Sequence, residues 1–132
     1  MKIAIVGCGY VADLYVSTIA LHKSLEVVGV FDIDEARLRQ FCGHYRLNAY
    51  SSLDDLLADS RVQIVVNLTN PRAHFGVSAA ALEAGKHVYS EKPLAMSYEE
   101  AERLVELAEK RGLLLAGAPA TLLSETAQTV WK

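Results

Sequence analysis

At 132 residues the chain fits one domain, and a domain of this size buries roughly two-thirds of the surface its unfolded chain exposes, so one substantial core is expected. A hydrophobic share of 52%, a charged share of 22% and a formal net charge of −3 describe an ordinary globular fold with no basic run and no field to recruit nucleic acid or an anionic membrane. Cys8 and Cys42 lack C-x-x-C or metal-type spacing and His22, His44 and His87 lack partner spacing, so reduced intracellular thiols are expected and no metal site is.

The first candidate strand, Lys2 to Val6, runs into Gly7-Cys8-Gly9-Tyr10-Val11-Ala12 and then a helix. The apolar start ends too early for a signal peptide, and no apolar run reaches the length of a membrane span, which leaves the cytoplasm as the expected compartment. The G-x-G-x-x-A turn reads as a phosphate-binding turn: the strand turns sharply, the helix N-terminus faces a pyrophosphate, and side chains at Gly7 and Gly9 would obstruct that approach. Ala12 keeps helix and strand close. The second candidate strand, Glu26 to Phe31, ends at Asp32, where a carboxylate accepts the adenosine ribose hydroxyls. A 2′-phosphate would meet that charge, and the next residue is Ile33 rather than an arginine able to pair with it, so NAD is expected over NADP. The competing reading of Asp32 is a solvated loop acid or helix cap, a role that Asp34 serves better.

Asp34 caps a helix reaching about Tyr45, a short strand is expected over Leu47 to Tyr50, and Ser52 with Asp55 opens a short helix. The fourth strand, Gln63 to Leu68, leads into Thr69-Asn70-Pro71-Arg72-Ala73-His74, with Asn70 as N-cap, Pro71 at N1 and His74 in the first helical turn. His74 faces either a cofactor or a structural hydrogen bond. Gly85 ends that helix, His87 to Ser90 forms the fifth strand, and Glu91-Lys92-Pro93 follows at its carboxyl end, where open α/β sheets bind ligands. Lys92 reads equally as a substrate-facing or a surface lysine. Ser97-Tyr98-Glu99-Glu100 forms a capping box, Gly112 ends its helix, and Leu113 to Ala116 is the sixth strand. Two β-α-β-α-β halves result, a doubly wound parallel α/β sheet of Rossmann type in the order 3-2-1-4-5-6, with helices on both faces and Leu68 to Asn70 beside the topological switch point. Residues 1–120 form this dinucleotide-binding unit. Over 121–132, Leu122, Leu123, Ala127, Val130 and Trp131 make an apolar helical stripe with no C-cap signal, read as the start of a helix leading into a further domain.

The glycine turn, Asp32, the Thr69 to His74 segment, Ala84-Gly85-Lys86-His87-Val88 and Glu91-Lys92-Pro93-Leu94-Ala95 together resemble the N-terminal half of the Gfo/Idh/MocA oxidoreductases, across essentially the whole chain. The resemblance implies NAD(P)-dependent hydride transfer at a sugar, inositol or related hydroxyl carbon, with Lys92 in the position of the family's active-site lysine, Glu91 beside it and the Lys92-Pro93 peptide cis. Thr69-Asn70-Pro71 replaces the usual T-P-N but keeps the helix start and the offset of His74. The family's second, substrate-binding α/β domain with its acid/base residue is not in these residues. Its absence leaves sugar, inositol, dihydrodiol and amino-sugar substrates equal, and a second copy of the chain as a further partner class. The isolated chain is then expected to bind NAD(H) without turnover. A stand-alone NAD(H)-sensing Rossmann module and a family member without catalysis are the competing readings, and the sensor has no use for Lys92.

Overall fold

A computed structural model of the protein describes residues 1–118 and residue 129. Among the described residues ten elements run in order: β1 (Lys2–Val6), α1 (Tyr10–Ile19), β2 (Glu26–Phe31), α2 (Glu35–Tyr45), α3 (Leu53–Ala58), β3 (Ile64–Asn67), α4 (Pro71–Glu83), β4 (His87–Ser90), α5 (Tyr98–Arg111) and β5 (Leu115–Gly117). The strands form one parallel sheet in the order β2-β1-β3-β4-β5. The chain thus leaves β1 to one side for β2 and returns to the other side for β3, which opens a crevice at the carboxyl ends of these strands.

The near-continuous apolar strands are explained by cover on both faces. Successive residues of a strand point to opposite sides of the sheet. Ile3 and Ile5 accordingly pack with Ala12 of α1 and with Leu38 and Phe41 of α2. Ala4 and Val6 pack with Leu56 of α3, Leu82 of α4 and Leu104 of α5.

Each expected helix start is present. Asp34 Oδ1 accepts from the Ala36 and Arg37 N–H groups at 3.0 and 3.1 Å, Ser52 Oγ from Asp55 at 3.0 Å, Asn70 Oδ1 from Arg72 at 3.1 Å and Ser97 Oγ from Glu100 at 3.2 Å. The capping box closes differently from expectation, because Glu100 Oε2 accepts from the Met96 N–H at 3.2 Å. Gly85 and Gly112 take the positive φ expected of C-terminal glycines. The end of α2 uses Arg46 in that role, at φ 55°.

The strand expected over Leu47 to Tyr50 is reduced to a single parallel bridge between Val30 and Ala49. Only a few residues separate the left-handed Arg46 from the Ser52 cap, too few to extend a ladder. It still lies outside β2, where the expected order placed it. The last strand begins two residues later than expected, since the Leu113 N–H donates to Ala108 O and the Leu114 N–H to His87 Nδ1. The helix expected over 121–132 lies outside the described residues apart from Thr129. Among the described residues no helix is long and apolar enough to cross a membrane, and no cluster of His, Cys, Asp or Glu is arranged to hold a metal ion.

Candidate dinucleotide-binding site

A crevice of about 390 Å³ opens where β1, β2 and β3 end, lined by Gly7, Gly9, Tyr10, Val11, Asp32, Ile33, Leu68, Thr69 and Asn70, with Arg37 at its edge. The two turn glycines serve different purposes. Gly7 adopts φ +97°, and a Cβ there would lie 2.7 Å from the Leu68 carbonyl, so it lets the turn pack against the end of β3. At Gly9 a Cβ would meet no atom of the described residues within 4 Å beyond its chain neighbours. The obstruction expected of a side chain at Gly7 is therefore met by the protein's own backbone, while Gly9 faces open space. Gly9 is also the N-cap of α1, with no side chain bonding to the first-turn N–H groups, which remains the arrangement needed for an anion at a helix start.

Asp32 is fixed within the fold. Its Oδ2 accepts from the Cys8 N–H at 2.7 Å and its Oδ1 from the Asp34 N–H at 2.8 Å, and its side chain is 6% exposed. The carboxylate thereby ties the end of β2 to the glycine turn. Arg37 Nη1 lies 3.8 Å from Asp32 Oδ2, and Nη2 lies 3.4 Å from Asp34 Oδ2. Cys8 turns its thiol into the core between α1 and α2. Burial, followed by the Asp32 charge, pushes that thiol up to about 12, the state of an inert buried cysteine.

On the β3 side, the buried Asn67 organises the switch-point loop. Its Oδ1 accepts from Thr69 Oγ1 at 2.7 Å, and its Nδ2 donates to His74 O and Ser78 Oγ, each at 3.0 Å. His74 is 1% exposed and stands behind the crevice rather than in it. Its Nδ1 lies 2.6 Å from the Pro93 carbonyl oxygen and its Nε2 3.0 Å from that of Thr69, so the ring spans the two loops.

Glu91 and Lys92 lie outside the crevice lining, on the loop after β4 with the expected cis Lys92-Pro93 peptide. Glu91 Oε2 accepts from the Lys92 N–H at 3.0 Å, and Oε1 accepts from the Tyr15 hydroxyl at 2.8 Å. Burial, followed by hydrogen bonding to Tyr89 and Glu91, raises the Tyr15 phenol above its ordinary range. Lys92 itself is exposed. Its backbone is bracketed by α1 through Tyr15 and Glu91, and by α4 through His74 and Pro93. The lysine of the A-G-K-H-V string has a different place: Lys86 is buried, with Nζ donating to Asp59 O at 2.8 Å.

Ala12, fully buried, and Pro71, at N1 of α4, shape the site without lining it. Sequence reasoning passed over Arg37 and Tyr15. Arg37 had one available signal, its i,i+3 spacing from the Asp34 cap, which directs its side chain back toward the end of β2. Tyr15 had only its place on the buried side of α1, one turn after Ala12.

The family model described as oxidoreductase family, NAD-binding Rossmann fold (Gfo/Idh/MocA) matches residues 1–117. Inositol 2-dehydrogenase of Salmonella paratyphi B is 35% identical over 115 residues, covering 85% of this chain and 34% of that protein. Among solved structures, the WlbA dehydrogenase of Chromobacterium violaceum in complex with NADH and UDP-GlcNAcA superposes with TM-score 0.92 at 30% identity, over 98% of this chain and 38% of that one. Biliverdin reductase of Synechocystis sp. in complex with biliverdin and NADP+ gives TM-score 0.90 at 29% identity, over 98% of this chain and 41% of its own. The chain thus spans between a third and about two-fifths of these relatives.

Proposed function

The chain belongs to the Gfo/Idh/MocA oxidoreductase family through its NAD-binding Rossmann domain, and on that footing we propose that it is the coenzyme-holding half of an enzyme moving a hydride to or from a hydroxyl-bearing carbon of a sugar, inositol or related polyol. The observation that carries this reading is the crevice itself: an uncapped helix start with Gly9 open on one side and the buried Asp32 carboxylate on the other. The residues fit a dinucleotide. The first turn of α1, Tyr10 and Val11 included, would hold the pyrophosphate, and Asp32 with Ile33 would hold the adenosine ribose. Leu68, Thr69 and Asn70 would border the nicotinamide side.

Bound nicotinamide would supply the hydride acceptor or donor. Lys92 would hydrogen-bond the reacting hydroxyl and hold its carbon toward the end of the crevice, its position set by Glu91 and His74. A proton acceptor beside that carbon is also needed. In this reading it comes from a second domain that residues 121–132 lead into, while residues 1–120 bind the coenzyme.

The test follows coenzyme reduction by the full-length gene product with a panel of polyols and sugars that includes myo-inositol. The wild type forms NADH with at least one of them. Lys92→Ala lowers turnover about 10²–10⁴-fold, the range of a lost proton-transfer or electrostatic group, with little change in NAD affinity. NAD binding without reduction across the panel contradicts the oxidoreductase reading and favours a sensor. Near-normal turnover in Lys92→Ala returns that residue to the surface.

A further inference from the structure

Tyr15 stands one turn after the buried Ala12 on α1, on the face turned toward the sheet. Its ring meets Tyr89 of β4 edge-on, with centroids 6.1 Å apart and planes at 61°, a contact that phenylalanine would make equally well. The hydroxyl is what phenylalanine lacks. Carrying it into a half-buried site has a desolvation cost unless a partner meets it, and here it donates to Glu91 Oε1 at 2.8 Å. Its raised phenol stays protonated, so it remains a donor. The other carboxylate oxygen, Glu91 Oε2, accepts from the Lys92 N–H at 3.0 Å. Glu91 thus joins α1 to the lysine's own backbone. That backbone is held one residue earlier by the Glu91 N–H on Asn67 O at 2.9 Å, and one residue later by His74 at Pro93 O.

We propose that Tyr15 is a positioning residue, acting through Glu91 to fix the backbone from which Lys92 reaches the reacting hydroxyl. The proposal rests on the hydride-transfer reading given above and adds to it a residue that touches neither coenzyme nor substrate. Lys92 is exposed and carries its ammonium on a flexible stem, so its backbone is the part that can be placed in advance. Without the Tyr15 hydroxyl the Glu91 carboxylate keeps its bond to the adjacent Lys92 N–H, but the two then move together and the lysine loses its tie to α1. In the same reading that helix receives the pyrophosphate at its first turn. Tyr15 therefore sets lysine and coenzyme in one frame. A displacement of about 1 Å in such a geometry costs on the order of a hundredfold in rate.

The full-length gene product and its Tyr15→Phe variant, each with and without Lys92→Ala, test this, with circular dichroism confirming each fold. In the coenzyme-free protein, hydrogen–deuterium exchange over residues 90–92 rises about tenfold in Tyr15→Phe, the scale of a lost hydrogen bond to a charged group, while exchange over β1 is unchanged. With NAD+ and a polyol or sugar that the wild type oxidises, Tyr15→Phe lowers kcat about tenfold to a hundredfold and leaves Kd for NAD+ within about threefold. In the Lys92→Ala background the same change lowers kcat no further, because no lysine is left to place. Glu91→Ala removes the link from its other end and gives the same pattern, so it decides the matter if Tyr15→Phe does not fold. Unchanged exchange, unchanged kcat, or an equal loss of kcat with and without Lys92 overturns the proposal, the last by returning Tyr15 to a purely structural role. A wild type that reduces NAD+ with no member of the panel overturns the oxidoreductase reading, and the proposal with it.

Discussion

Asp32 is committed to the fold before any ligand arrives, because it partners the N–H groups of Cys8 and Asp34. Its removal therefore has a cost independent of coenzyme. Asp32→Ala leaves buried donors without acceptors, an expected loss of about 1–3 kcal/mol. Urea unfolding of the ligand-free protein measures it, and an unchanged midpoint would mean that Asp32 faces only the ligand. The residues legible in the sequence were those whose type is dictated by local backbone or by position at a strand end: Gly7, Gly9, Asp32 and Asn70. Tyr15 and Arg37 were not legible, because their roles depend on contacts made by the fold. Tyr15 meets Glu91 across 76 positions of chain. Arg37 meets Asp32 only once α2 has packed beside the end of β2.

The elements were legible wherever a cap and an apolar run coincided. Asp34, Ser52, Asn70 and Ser97 each start the expected helix. The departures occur where neighbouring elements compete for the same few residues. The Leu47 to Tyr50 segment is squeezed between two helices into one bridge, and Leu113 and Leu114 give their N–H groups to the end of α5 and to His87 before β5 can pair. The end of α2 had no glycine to announce it. Arg46 occupies the left-handed region at φ 55°, a conformation that costs a side-chain-bearing residue about 1–2 kcal/mol. Arg46→Gly relieves that cost but frees the unfolded chain, for a net gain of about 1 kcal/mol. A higher urea midpoint with an unchanged slope is the expected result, and a lower midpoint would show that the Arg46 side chain contributes more than its backbone costs.

At the scale of the molecule, the expected order of strands places the switch point, and the crevice follows from it. The chain supplies a coenzyme cradle together with one lysine whose backbone is held from two helices, through Tyr15 and Glu91 and through His74 and Pro93. The matched relatives are more than twice its length, in keeping with a proposed reaction that needs groups from beyond the cradle. The central claim is that the space beside Gly9 receives a dinucleotide. Titration of NAD+ into the protein and into its Gly9→Val variant tests this most directly. Apart from its chain neighbours, no atom of the described residues lies within 4 Å of the position a Gly9 Cβ would take, so the variant should fold with an unchanged circular dichroism spectrum. The account predicts saturable binding to the wild type and none to the folded variant. Equal NAD+ affinity in the two would contradict it.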